Sequence, residues 1–200
     1  MEKNWAPKII KGARVNLLPI DRDCMNSYAQ KVVRLAAGPE PREDLKFFSF
    51  FQEPLTLGRQ LRFFSRMIES QNNQIFAVET KSGRFIGTCG LHDVDRVNDN
   101  LRLGIIIFDR QYRKKGFGRE VLNLLLRFCF ESLRMNKVYL TARADNELST
   151  RIYGKLGFKE EGVMRKEYKV KDGQFIDLLR MSILKSEWQE KGGDDENPDS

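Results

Sequence analysis

The sequence predicts one α/β layered domain in which helices flank a mixed, mostly antiparallel, twisted sheet. Three observations carry that expectation. Strand-like segments punctuated by turn residues recur at 75–80, 84–91 and 101–108. A basic, glycine-bearing loop then leads into a long apolar helix, and the chain closes on a pair of strands turned at Lys171-Asp172-Gly173.

Taken in order, residues 14–18 read as a short strand, and 21–37 as a helix opened by Asp21 or Asp23 and ended before Gly38-Pro39. Over 38–54 periodicity fails: three prolines and the cluster Phe47, Phe48, Phe50, Phe51 read as a loop or short helical turns that line an acceptor pocket, a dimer contact or the core. Leu57, Leu61, Phe64 and Ile68 then make one apolar helix face behind a Thr56 cap. Residues 75–80 and 84–91 form a hairpin about Lys81-Ser82-Gly83, where glycine supplies the positive φ, and 101–108 reads as a fully buried strand. The helix at 119–133 carries too many apolar positions for one stripe, so it is expected to be covered on most sides. A strand at 138–144, a short helix at 149–156 ended by Gly157, and two strands within 162–183 complete a domain placed at 12–188. The acidic tail, 191–200, is expected to be disordered.

Composition sets the class of protein. The 200 residues are 40% hydrophobic and 32% charged, enough for an ordinary core without disulfides or metals. No apolar run reaches the ~18 residues of a membrane span, and the first eight residues lack a signal-peptide pattern, so a cytoplasmic, non-membrane protein is expected. Cys24, Cys89 and Cys129 are odd in number and set among apolar neighbours, as reduced core thiols are; a single histidine, His92, argues against zinc, and no metal site is expected. The net charge is +7, and four acids (Asp194, Asp195, Glu196, Asp199) fall in the last seven residues, which leaves the rest at +11. An anionic partner follows, either nucleic acid or a phosphorylated small molecule.

The loop Arg113-Lys114-Lys115-Gly116-Phe117-Gly118-Arg119 decides between them. A strand that delivers basic residues and glycines to a helix N-terminus makes an anion site, because unpaired N–H groups and the helix dipole face the ligand while glycines admit it closely. It is neither a Walker loop nor a dinucleotide fingerprint.

This segment resembles the pyrophosphate loop of the GNAT family of acetyl-CoA-dependent N-acetyltransferases, Gln/Arg-x-x-Gly-x-Gly/Ala. Residues 146–158, with Asn146, Tyr153, Lys155, Gly157 and Phe158, are similar to a second family segment, and Gly87-Thr88-Cys89-Gly90-Leu91-His92 to a third. The closing hairpin resembles that of the RimJ/RimL subgroup. The resemblance covers about 12–188 and implies the GNAT (acyl-CoA N-acyltransferase) fold, with acetyl-CoA as co-substrate. It implies that the strand before the loop parts from the strand at 138–144 and offers backbone at Ile106, Ile107 and Phe108 to the cofactor's amide arm, as in strand addition. Arg113, Lys114, Lys115, Gly116, Phe117, Gly118 and Arg119 would hold the diphosphate, and Asn146 would contact the cofactor.

Acetyl transfer from sulfur to nitrogen requires a neutral amine and a protonated leaving thiol. Tyr153 matches the family's acid, although its phenol is weaker than a thiol and must act through position. Relatives carry a glutamate where this chain has Arg102, which cannot accept a proton; Asp93, Asp95 and Asp99, read as loop residues, or a water chain are left as bases, and His92 reads as packed. The resemblance implies transfer to a primary amine by direct attack in a ternary complex. The acceptor would be a protein N-terminus, a polyamine or an amino sugar, and the enzyme a monomer or homodimer with no nucleic-acid or membrane partner. The alternatives are a basic RNA- or ribosome-associated protein with an inactive fold, and an enzyme using a longer acyl chain.

Overall fold

The computed structural model describes residues 9–37, 55–170 and 173–192. In chain order the elements are β1 (Ile10–Lys11), β2 (Val15–Pro19), α1 (Met25–Ala36), α2 (Leu57–Glu69), β3 (Gln74–Thr80), β4 (Phe85–Asp95), β5 (Asn100–Ile107), α3 (Phe117–Arg127), β6 (Lys137–Arg143), α4 (Glu147–Leu156), β7 (Lys159–Lys169), β8 (Phe175–Leu184) and α5 (Lys185–Glu190). The strands form one sheet in the order β1-β2-β3-β4-β5-β6-β8-β7, and every neighbouring pair is antiparallel except β5 with β6. The aromatic cluster 47–51 lies outside the described residues.

Because side chains alternate across a strand, each strand feeds two cores. Phe76 and Val78 of β3 join Leu101, Leu103 and the α3 residues Val121, Leu122 and Leu125 on one face. Ile75 and Ala77 join Tyr28, Val32, Phe64 and Met67 of α1 and α2 on the other. The helix at the centre of the first core is covered as expected: Val121, Leu122, Leu124, Leu125 and Leu126 are all buried. It continues through a wide turn at Phe128–Ser132, where Leu133 N–H donates to Phe128 O five residues back.

Several boundaries differ from the sequence reading. Helix α1 begins at Met25; Asp21 spends its carboxylate on the N–H groups of Asp23 and Cys24 (both 3.0 Å), making a turn ahead of the helix. Helix α2 does start behind Thr56, whose side chain accepts from Arg59 N–H. Its buried stripe is Gln60, Phe64 and Met67, and Leu57 is exposed, because β3 and α1 receive a face rotated from the most apolar one. Helix α4 begins at Glu147, ahead of the expected 149, because Asn146 caps it, with Oδ1 accepting Ser149 N–H at 3.2 Å. Helix α5 had no strong sequence signal: its six residues include one large apolar side chain, Trp188, which stacks on Phe130 at 5.3 Å.

Candidate active site

The one parallel pairing in the sheet is cut short. β5 and β6 pair only at Asn100↔Lys137, Leu101↔Val138 and Arg102↔Tyr139. Beyond Arg102, β5 stays bonded to β4 as far as Gly87↔Ile107, and β6 stays bonded to β8 as far as Arg143↔Leu178. Each strand follows its outer neighbour, so a gap opens between them. It forms a cavity of about 580 Å³ lined by Leu103, Gly104, Ile105 and Ile106 of β5 and by Leu140, Thr141, Ala142 and Arg143 of β6. This is why residues 104–106 are partly exposed where a fully buried strand was expected. The gap is a passage through the sheet, with Ser149 and Tyr153 of α4 on one face and Phe63, Arg66 and Met67 of α2 on the other.

Of the three backbone positions expected to meet a ligand, Ile106 and Phe108 line this cavity, whereas the Ile107 side chain turns into the core beneath α3. The edge of β5 that faces β6 has no strand partner after residue 102 among the described residues. An amide-bearing ligand can pair there without requiring any particular side chain.

At the end of β5 the chain enters a short turn (Arg110–Tyr112) capped by Asp109, whose carboxylate accepts Gln111 N–H and both Arg84 Nε (3.0 Å) and Nη2 (2.8 Å). The Arg113 side chain folds back onto the strand, with Nε donating to Ile107 O (2.7 Å) and Nη2 to Phe108 O (3.2 Å). Lys114 (φ 56°) and Gly116 (φ 80°) then reverse the chain into α3. The first intrahelical bond runs from Glu120 N–H to Gly116 O, so the N–H groups of Phe117, Gly118 and Arg119 precede it and open the helix N-terminus. A Cβ built on Gly118 would meet nothing nearer than Ile105 Cδ1 at 3.9 Å, so open space lies above these donors. Lys114 and Lys115 are exposed, and Arg119 is half-buried on the first turn. The Phe117 ring is held edge-on by Tyr112 at 5.0 Å and lies under the Arg14 guanidinium at 4.6 Å.

Sequence reasoning missed Arg14. From the bend just before β2 it reaches Lys115 O through Nη1 (3.0 Å) and Glu120 Oε2 through Nε (2.8 Å), while Glu120 Oε1 also accepts the N–H groups of Arg14 (2.7 Å) and Val15 (3.2 Å). No local pattern links positions 106 apart.

On the α4 face, Asn146, Ser149 and Tyr153 line the cavity together. They fall at i, i+3 and i+7, one side of the helix. Burial raises the Tyr153 phenol above its ordinary value, and a hydrogen bond with Ser149 acts in the opposite direction. Because Asn146 Oδ1 caps the helix, its NH₂ group is what it can offer the cavity.

On the α2 face, His92 lines the cavity above the facing glycines of β4 and β5: a Cβ at Gly104 would lie 2.7 Å from its Nε2, and one at Gly90 3.1 Å. Burial and then the Arg102 charge lower its pKa to about 4, against a smaller opposing effect of Asp93, so the imidazole is neutral. Arg102 Nε and Nη2 both reach Asp93 Oδ2 at 3.0 Å. The aspartates expected together in a loop are separated. Asp93 and Asp95 belong to β4; Asp95 Oδ1 is occupied by the N–H groups of Val97 and Asn98, and Asp99 O accepts from Asn136 and Lys137. Of the three, only Asp93 lines the cavity.

A free strand edge, a helix N-terminus with clear space over Gly118 and a phenol beside the gap are what an acyl-CoA thioester needs: pairing for its amide arm, N–H donors for its diphosphate and a proton donor near its sulfur. Among the described residues no helix is long and apolar enough to cross a membrane.

Comparison with known proteins agrees with this geometry. Residues 14–159 match the acetyltransferase (GNAT) domain. The chain is 30% identical over 140 residues to the uncharacterized N-acetyltransferase p20 of Bacillus licheniformis, covering 68% of this chain and 78% of the relative. It is 29% identical over 140 residues to a spermidine N(1)-acetyltransferase of Vibrio cholerae, covering 70% and 80%. The solved structure of a Vibrio cholerae spermidine N-acetyltransferase in complex with CoA and spermine superposes with a TM-score of 0.74 at 24% identity, over 88% of this chain and 98% of that one. Strand order, parted strands and family match together make this chain a member of the GNAT family of acetyl-CoA-dependent N-acetyltransferases.

Proposed function

We propose that the protein acetylates a primary amine by direct attack of the amine within a ternary complex, with Tyr153 as the general acid. Acetyl-CoA supplies the acetyl group in activated form, as a thioester. The observation that carries the reading is the parting of β5 from β6 after Arg102, with Tyr153 at the gap and the α3 N-terminus at its end. The backbone of β5 around Ile106 and Ile107 binds the amide arm, whereas Phe108, whose N–H is given to Ile86 O and whose carbonyl accepts from Arg113, contributes only to the cavity wall. Gly116 and Gly118 admit the diphosphate to the N–H groups of Phe117, Gly118 and Arg119, Arg113 ties the loop to the strand, and Lys114 and Lys115 supply positive charge. Asn146 donates from the mouth of α4. As the C–N bond forms and the C–S bond breaks, Tyr153, protonated at neutral pH, delivers its proton to the departing sulfur; the nitrogen releases its proton to solvent, and solvent reprotonates the phenolate.

A covalent acetyl-cysteine route has no support, because Cys89 is buried and burial pushes its thiol up, away from the nucleophilic thiolate. The closing hairpin β7–β8 supports placement in the RimJ/RimL-like subgroup. A protein N-terminus, a polyamine and an amino sugar are the acceptor classes that follow; the spermidine N(1)-acetyltransferase relative is an instance of the second. Calorimetry with acetyl-CoA, followed by a thiol-release assay across these classes, tests the reading. Failure to bind acetyl-CoA sinks it.

A further inference from the structure

The two faces of the passage differ in charge. Tyr153, Ser149 and the α3 N-terminus stand on one face of the sheet, so the thioester is held from that side and the acceptor must come through the other, beneath α2. On that face α2 presents Arg59, Phe63, Arg66 and Met67, and Arg59 and Arg66 are seven residues apart, on one side of the helix about two turns from each other. From the sheet below come His92, Asp93 and Arg102; Arg102 shares its face with Gly104 and Ile106 because it alternates with the core residues Leu101 and Leu103. Three guanidinium groups, those of Arg59, Arg66 and Arg102, line the acceptor end beneath α2, and a fourth lining arginine, Arg143 of β6, is paired with Asp145. Among the described lining residues the one carboxylate is Asp93, which already accepts both Arg102 N–H groups on Oδ2. Arg66 is exposed at the rim, and His92 is uncharged at neutral pH.

We propose that the acceptor is a small primary amine that itself carries a carboxylate or phosphate, held by Arg66 and Arg102, and not a polycation; this rests on the transferase reading above. A guanidinium pairs in a two-pronged fashion with either anion, whereas a second or third ammonium would be repelled from this wall. The same positive field answers the missing base. Nearby cations disfavour the ammonium form of the incoming amine, so it reaches the thioester neutral more readily than in water, without a carboxylate to take the proton directly. The cavity, about 580 Å³, is within the range of small-molecule sites and must also hold the cofactor's arm, which limits the acceptor to a small molecule.

The test uses the full chain, in calorimetry and thiol-release assays, with acetyl-CoA and three sets of amines: amino acids with acidic side chains, phosphorylated amines including amino-sugar phosphates, and spermidine with spermine. The expected result is turnover of carboxylate or phosphate amines with KM lower than that of the polyamines by roughly tenfold or more, the first two sets showing which anion is read. Arg66→Glu should raise KM for the anionic amine and weaken its calorimetric affinity in the presence of CoA by roughly tenfold, with Arg66→Lys recovering part of the loss and acetyl-CoA affinity unmoved by either. Turnover of spermidine without any anionic amine, or a chain that binds acetyl-CoA and acetylates no anionic amine, overturns the inference while leaving cofactor binding intact. An Arg66→Glu enzyme indistinguishable from the parent overturns it too, and loss of acetyl-CoA binding in the parent would instead sink the underlying transferase reading.

Discussion

Arg14 and Glu120, 106 positions apart, meet at 2.8 Å and so fasten β2 to the first turn of the central helix. The carboxylate also satisfies the backbone N–H groups of Arg14 and Val15, and the guanidinium caps Lys115 O and lies over Phe117. The loop that enters α3 is therefore held from outside, by the bend that leads into β2. Glu120→Ala leaves these donors without their acceptor, at a cost of about 1–3 kcal/mol. Urea unfolding should show that loss, and calorimetry a several-fold weaker affinity for acetyl-CoA. A variant unchanged in both would remove the clamp from the account.

The two loop glycines are expected to fail differently. Gly116 sits at φ 80°, where a β-branched side chain is strained, and its Cβ would press on Arg14 Nη2 at 3.0 Å. Gly116→Val should lower stability by about 1–3 kcal/mol as well as weakening acetyl-CoA binding. Gly118→Val enters open space, so thermal unfolding should hold while binding is lost. Equal thermal losses in the two variants would contradict the geometry.

Tyr153→Phe keeps the ring against Phe158, 6.0 Å between centroids, and removes only the acidic proton. We expect kcat to fall on the order of 10²-fold or more with acetyl-CoA affinity retained. Since burial raises the phenol above its ordinary value, the protonated, active form persists through the alkaline range, and this residue should give kcat no descending limb below about pH 10. A limb at lower pH that disappears in the Phe variant would assign the acid a different environment.

His92 gives the fold an acid-sensitive point. Its pKa falls from 6.5 to about 4 on folding, through burial first and the Arg102 charge second. Below pH 6.5 the unfolded chain takes up a proton that the folded chain refuses until near pH 4. The contribution is thus complete above 6.5 and lost between 6.5 and 4, about 3 kcal/mol in all. Comparing unfolding of the parent and His92→Asn at pH 7 and pH 4.5 checks this: the parent should lose more. Parallel losses would place the imidazole in water.

Element order, the two hairpins, the glycine loop and the covered central helix could be read from the chain, because periodicity, turn glycines and helix-entry residues act within a few positions of one another. That Asn146 and Tyr153 fall on one side of a short helix was legible for the same reason, as one local segment. Where α2 points, why β5 stays half-exposed and how Arg14 reaches the loop could not be read so. Each depends on which surface a distant element presents: Gln60 is buried and Leu57 exposed because α1 and β3 meet a rotated face, and residues 104–106 open because β6 leaves with β8. The arginine wall belongs to this second kind. Arg59, Arg66 and Arg102 are ordinary surface residues in one dimension, and they come to line one cavity only when a helix from one part of the chain is laid over strands from another, since charge adds through space and not along the backbone.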